Sequence, residues 1–373
     1  MYRIFCFQRR LRVIKQHRIT ILLIISLVGI GLYSLFNGAY DVNVASVMKG
    51  LGLYVTDYGF SLDKFTADST ALKELLGTDE YLQTLVMLAS RIPRLMAILC
   101  TGMGMSVAGL IMQNLCMNKF VSPTTGATIS SAQLGILVGL IFFPAATLAT
   151  RTIFAFIAAI AGTWVFIWFI QSIKIKDVVM VPLIGIMFNS VIGGVVSYLA
   201  YEFDLTQILS NLLIGDFSLI LEGKYEIMFL VVPLIVVAFI YANHFNIVGM
   251  GESFSTNLGV NYNLVLFGGL SIAAVISASV VVTVGSISYI GLVIPNVVAM
   301  YKGDKIRGNL IDVALFGALF ILICDIIGRS VIRPFELPIS LIVGIIGSLV
   351  FLVLLFKRLN LAKPKKKVVK QNG

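Results

Sequence analysis

The sequence predicts an all-α polytopic membrane protein. The chain is 58% hydrophobic and only 12% charged across 373 residues, and its mean hydropathy is +0.99. One soluble core could not hide that much apolar surface. The apolar residues also fall in runs of about 20, the length that crosses a bilayer. Finally, the basic residues gather at the flanks of these runs, which is how positive charge is distributed around spans.

About ten transmembrane helices fit this pattern, at 19–36, 94–113, 126–143, 151–172, 178–200, 225–243, 262–284, 287–301, 309–329 and 337–356. Residues 1–18 form a basic N-terminus, 19–356 the transmembrane domain and 357–373 a basic tail. The first run is too long for a signal-peptide core and no small-residue cleavage site follows it, so it is read as a span. An outer loop at 37–90 holds Asp41, Asp57, Asp63, Asp68, Glu74, Asp79 and Glu80. The seventh and eighth runs are nearly continuous, so a tight re-entrant turn or a short helix is expected around Gly285. No internal repeat is evident in the sequence.

The net charge of +10 comes largely from the two ends. Arg3, Arg9, Arg10, Arg12, Lys15 and Arg18 precede the first span, and Lys357, Arg358, Lys363, Lys365, Lys366, Lys367 and Lys370 follow the last. This asymmetry puts both termini in the cytoplasm of a multi-pass cell-membrane protein. No aromatic is interleaved among the tail lysines, which argues against nucleic acid as a partner. Cys6, Cys100, Cys116 and Cys324 form no CxxC pair, and His17 and His244 lie far apart, so neither a disulfide framework nor a metal site is expected. No cofactor is expected either.

Residues 285–304, GSISYIGLVIPNVVAMYKGD, are the most informative stretch. An apolar run broken by Gly285, Gly291 and Pro295 frees backbone polar groups that lipid cannot satisfy. Such a break persists only where protein buries it or a cavity wets it. Pro123 and Gly126 punctuate the start of the third run in the same way, and together these five residues suggest a transport pathway. Small residues recur along the second run at Gly102, Ser106 and Gly109 and along the last at Ser340, Gly344 and Ser348. They mark either packing within the chain or a subunit interface.

Charged residues near the spans are few. Arg91 and Arg94 open the second span on the outer side, where they either snorkel to headgroups or receive carboxylates from an external partner. Asp325 and Arg329 stand four apart on one helical face as an intramembrane pair, which either neutralises itself or serves function. Arg333 and Glu336 follow in the outer turn. Asp312 reads as an interfacial helix-start carboxylate. The inner segment 244–261, HFNIVGMGESFSTNLGVN, is nearly uncharged and longer than a plain connection requires. It is either a solvated loop or a short amphipathic helix over 253–258, stopped by Gly259, that docks a soluble partner.

The chain carries no Walker A loop, nucleophile elbow or HExxH motif, so an enzyme with its own ATPase is not indicated. An ion-coupled secondary transporter remains as a reading of another class, although ionisable groups deep in the spans are almost lacking.

Six stretches together resemble the FecCD-type permeases, the membrane subunits of ABC importers for iron-siderophores, haem and cobalamin. They are RIPR at 91–94, GMGMSVAGLIMQN at 102–114, SPTTGATISSAQLG at 122–135, MGESFSTNLGVN at 250–261, GSISYIGLVIPN at 285–296 and CDIIGRSVIRPFELPISLIVGIIG at 324–347. The wording NKFVSPTT is similar to the catechol-siderophore branch of petrobactin or anguibactin type. Lys119, Tyr289, Asn296 and Met300 depart from the commoner pattern, in place of proline, phenylalanine, histidine and arginine.

The resemblance implies the type II permease fold, and a ferric siderophore in transit with haem or cobalamin as the alternative cargo. It implies three kinds of partner: cytoplasmic ABC ATPase subunits, a second permease subunit and an extracytoplasmic substrate-binding protein or lipoprotein. Arg91, Arg94, Arg329 and Arg333 would face the binding protein. Gly249, Gly251, Glu252, Ser253, Leu258 and Gly259 would form the loop that couples to the ATPase.

Overall fold

The computed structural model describes residues 2–37 and 77–362, apart from 146, 174–179, 221–224, 304–305 and 333–334, with a few isolated positions between 43 and 73. Most of the expected outer loop, Arg333 and the tail beyond 362 therefore lie outside the described residues.

The described chain is a helical bundle. Its elements are α1 (Tyr2–Phe36), α2 (Thr78–Val86), a π-turn (Met87–Arg91), α3 (Ile92–Leu115), α4 (Thr128–Phe142), α5 (Leu148–Ser172) and α6 (Met180–Glu202). They are followed by α7 (Thr206–Leu213), a 3₁₀ turn (Glu226–Leu230), α8 (Val231–Val248), α9 (Glu252–Asn257), α10 (Tyr262–Thr283), α11 (Ile290–Lys302), α12 (Ile306–Ser330) and α13 (Ile339–Ala362).

Each of the ten apolar runs became a helix. Among the described residues, eight helices are long and apolar enough to cross a membrane, and α4 and α11 are shorter apolar helices. Both short helices begin behind a left-handed residue that is not glycine, Ala127 at φ 61° and Tyr289 at φ 69°. Such backbone is costly and persists where the surroundings over-determine it. The order long, short, long, long occurs twice, at 24, 15, 25 and 23 residues for α3–α6 and at 22, 13, 25 and 24 for α10–α13. The likeness lies in the order of helix lengths, each short helix following a left-handed residue, and not in residue identity.

Two boundaries differ from expectation. The second span does not begin at Arg94: helix runs on from Thr78 through the π-turn into α3. Pro93 has no N–H and its ring crowds the preceding turn. The wide π-turn ends at Arg91, two residues before it, and lets the helix continue instead of stopping. Asp312, read as an interfacial carboxylate, is 1% exposed. It accepts from Thr20 Oγ1 of α1 at 2.7 Å and pairs with Lys302 at the end of α11. It therefore joins three helices.

Helix α3 is the axis of the bundle, with most of its residues buried. Its glycines set how closely the neighbours approach. A Cβ on Gly102 would lie 2.5 Å from the Gly317 carbonyl of α12, and one on Gly109 would overlap the Gly291 carbonyl of α11. The stripe of Gly102, Ser106 and Gly109 thus packs within the chain. Gly344 of α13, by contrast, has nothing within 4 Å of the point where a Cβ would stand, so its stripe is open on this side.

This contrast predicts that Gly109→Val lowers stability by about 3 kcal/mol or more, since backbone cannot yield to it. Gly344→Ala should leave the thermal unfolding midpoint in detergent essentially unchanged. Equal midpoints for the two variants would contradict the crossing.

Candidate functional site: two polar ends joined by α3

A buried charge cluster closes the end of the bundle where α3 starts and α12 finishes. Asp325 lies at its centre with its side chain 1% exposed. Arg94 donates to Asp325 Oδ1 from Nε at 3.2 Å and from Nη2 at 2.8 Å. Arg329 Nη2 stands 2.7 Å from Asp325 Oδ2, one helical turn away. Arg94 Nη1 also reaches Glu336 Oε2 at 2.6 Å.

The remaining donors reach back to α1. A helix leaves its last carbonyls without partners, and cations near that end are favourable. Arg91 Nη1 donates to Leu35 O at 2.7 Å, while Arg329 Nη1 donates to Asn37 O at 2.7 Å and Nη2 to Ser34 Oγ at 2.5 Å. Arg91 and Arg329 are each 8% exposed. They cap the first helix, a role that nothing in the spacing 91, 94, 329 announced. Substitution of either is therefore a test of folding before it is a test of docking.

In the middle of the bundle, α11 runs uninterrupted from Ile290 to Lys302 with Pro295 inside it, and the hydrogen bond that the proline omits is replaced from α3. Pro295 cannot donate to Gly291 O, its partner one turn back. The Gln113 side chain supplies the missing donor, with Nε2 at 3.0 Å from Gly291 O and 3.2 Å from Leu292 O. Asn296 Nδ2 donates to Leu292 O at 2.7 Å and to Lys119 O at 2.9 Å. Gln113 is 3% exposed. It was not singled out in the sequence, and the available signal was an amide in one span opposite a proline in another.

The five punctuating residues do not form one group. A methyl on Gly291 would lie 3.0 Å from Pro123 Cδ, so the two broken entries, before α4 and at α11, meet beside α3. Gly126 packs on Met112 of α3, in a turn closed by Gly126 N to Ser122 O at 2.8 Å. Gly285, at φ 96°, stands apart against the 211–216 segment. There Ser286 N donates to Leu212 O, and Asp216 N to Val284 O, both at 3.0 Å. The connection is a tight turn that leads back into the bundle, with Tyr289 packed on Gly347 of α13.

The other end of α3 carries the 249–261 loop. Arg94 and Asn114 are 20 residues apart on one helix, about 30 Å at 1.5 Å per residue. Gly249 sits on Asn114, where a Cβ would overlap Asn114 Oδ1. Gly251 (φ 108°) and Gly259 (φ 74°) turn the chain at either end of α9. Ser255 is fully buried and holds the loop from inside, donating to Gly251 O at 2.7 Å and Ile247 O at 3.1 Å. Glu252 and Ser253 open α9 on its exposed side, and Leu258 ends it. Met250, Phe254 and Leu258 are 67%, 45% and 56% exposed at four-residue steps. Beside them opens a cleft of about 550 Å³ lined by Gln113, Asn114, Met117, Lys119, Asn246, Gly249 and Met250.

No group of three or more His, Cys, Asp or Glu that could hold a metal occurs among the described residues. The half-buried Cys116 thiol, just past the end of α3, is pushed up to about 12 by desolvation.

The described chain thus combines apolar helices long enough to span a membrane, a proline-containing α11 tied to α3, a polar cluster at one end and exposed apolar residues at the other. Residues 27–357 match the FecCD transport family, and the chain belongs to that family. It is 45% identical over 270 residues to the petrobactin import system permease protein YclN of Bacillus subtilis, covering 72% of this chain and 85% of the relative. It is 40% identical to the ferric-anguibactin transport system permease protein FatD of Vibrio anguillarum, covering 73% and 87%. An inward-facing structure of a metal-chelate type ABC transporter has the same fold, with a TM-score of 0.71 at 23% identity over 91% of this chain and 99% of that one.

The cluster predicts an asymmetry between its two carboxylates. Asp325→Ala strands two buried guanidinium groups and should cost about 3–5 kcal/mol, so that little folded protein accumulates. Glu336→Gln should fold normally. Detergent extraction followed by size-exclusion chromatography reads both, and comparable yields for the two would contradict the assignment of Asp325 as the centre.

Proposed function

We propose that the chain is the permease subunit of an ABC importer that carries a ferric siderophore of catecholate type across the cell membrane. Both termini lie in the cytoplasm in this reading, and energy comes from separate ATPase subunits. The likeness to permeases whose names specify petrobactin and ferric-anguibactin supports the cargo class. A ferric ion wrapped in its chelator needs no ligands from the protein, which suits described residues that hold no cluster of three or more His, Cys, Asp or Glu.

The observation that carries the reading is the stripe of Met250, Phe254 and Leu258. Three exposed apolar residues turned outward at a bundle end, Phe254 in α9 with Met250 and Leu258 on either side of it, fit the groove of a soluble partner. Gly249, Gly251, Glu252, Ser253, Leu258 and Gly259 make up this coupling element. A rigid seat on Asn114 would let an ATPase move α3, and through Gln113 the proline-containing α11. Coupling of this kind requires each partner to bind the two bundle states unequally.

The arginine end receives an acidic face of a substrate-binding protein. Arg94 presents its guanidinium group, Arg333 joins it by its place in the sequence, and Arg91 and Arg329 brace this end of the bundle through α1. A second permease, whether another copy of this chain or a related one, completes the passage.

Phe254→Asp should leave folding intact, because the side chain is exposed, yet reduce ferric-catecholate uptake in cells to below roughly a tenth of wild type, as loss of a buried apolar anchor does at an interface. Radio-iron uptake alongside a thermal melt checks it. Wild-type uptake by the variant would remove the coupling assignment.

A further inference from the structure

The three described arginines that would meet an acidic partner are already occupied. All three guanidinium nitrogens of Arg94 are engaged: Nε and Nη2 by Asp325, Nη1 by Glu336. The two carboxylates differ in freedom. Asp325 is held by a second arginine and is sealed from solvent. Glu336 has one charged partner among the described residues, a side chain 32% exposed, and a place in the connection between α12 and α13.

We propose that Glu336 is a built-in stand-in for the partner's carboxylate. It fills the outward nitrogen of Arg94 while no partner is docked and yields it when an acidic protein face arrives. The inference rests on the reading that this end receives such a face. The physical reason is charge balance. Arg94 is 12% exposed in its side chain, and a buried cation without a counter-ion is costly. Without Glu336 the empty docking site would leave two guanidinium groups, Arg94 and Arg329, sharing Asp325 alone, and would carry part of that cost at rest. Exchange of one carboxylate for another keeps the guanidinium paired in both states. Release of Glu336 to water is cheap, since its other surroundings are already wet. Leu337 N donates to Gly328 O at 3.1 Å, which anchors the connection next to Glu336, so only the side chain needs to swing.

The test needs no knowledge of the natural partner. Purified chain in nanodiscs is treated with phenylglyoxal, and modification of Arg94 is followed by peptide mass spectrometry, with and without hexaglutamate as the acidic probe. Arg94 in Glu336→Gln should be modified roughly tenfold faster than in wild type, the scale set by loss of one charge-assisted contact. Hexaglutamate should slow that modification, and should do so at lower concentration in the variant than in wild type. Glu336→Asp, which keeps the charge on a shorter stem, should fall between. Equal rates in wild type and Glu336→Gln, or no protection by hexaglutamate in either, would overturn the exchange. Faster and protectable Arg94 together with uptake that is indifferent to this end of the bundle would uphold the exchange and remove the docking reading alone.

Discussion

Lipid offers no hydrogen bonds, and every freed backbone group in this bundle must find a partner inside the protein. That constraint organises the structure. Pro295 leaves Gly291 O without its donor, and Gln113 of α3 provides one. The carbonyls at the end of α1 lack intrahelical donors, and Arg91 and Arg329 provide them. In each case a polar side chain is buried where the backbone is short of a bond, and in each case it comes from outside the element it repairs.

Helix α3 links these repairs. It begins at the arginine cluster, crosses α11 backbone to backbone at Gly109 and Gly291, closes the proline gap through Gln113 and ends against Gly249. Helix α12 runs beside it and is tied to α1 at both ends, through Asp312 to Thr20 and through Arg329 to Ser34 and Asn37. The outer surface of the bundle needs only apolar residues; the inner seams depend on a few polar ones. Movement of α3 would therefore be felt at both ends of the bundle.

The elements were legible because membrane spans are written in composition and length, which a single sequence displays. All ten apolar runs became helices, and the turns at Gly251, Gly259 and Gly285 stand where positive φ demanded glycine. The missing backbone donor in α11 was legible because proline removes one wherever it stands, although the helix itself continues through Pro295. What could not be read were contacts between distant residues. Gln113 looks like any polar residue near a span end until Pro295 is opposite it. Arg91 and Arg329 look available until the end of α1 lies across them. Asp312 looks interfacial until α1 and α11 cover it. Pro93 reads as a helix start because nothing in its neighbours reveals the π-turn that carries helix through it.

The repair of α11 by Gln113 is open to a direct measurement, the thermal unfolding free energies of wild type, Gln113→Leu, Pro295→Ala and the double variant. Alanine at 295 returns the backbone donor to Gly291 O, so the account predicts that Gln113→Leu costs about 1–3 kcal/mol alone and much less when Pro295→Ala is present. Additive effects would show that Gln113 and Pro295 act separately, and would contradict the dependence of the proline-containing helix on α3.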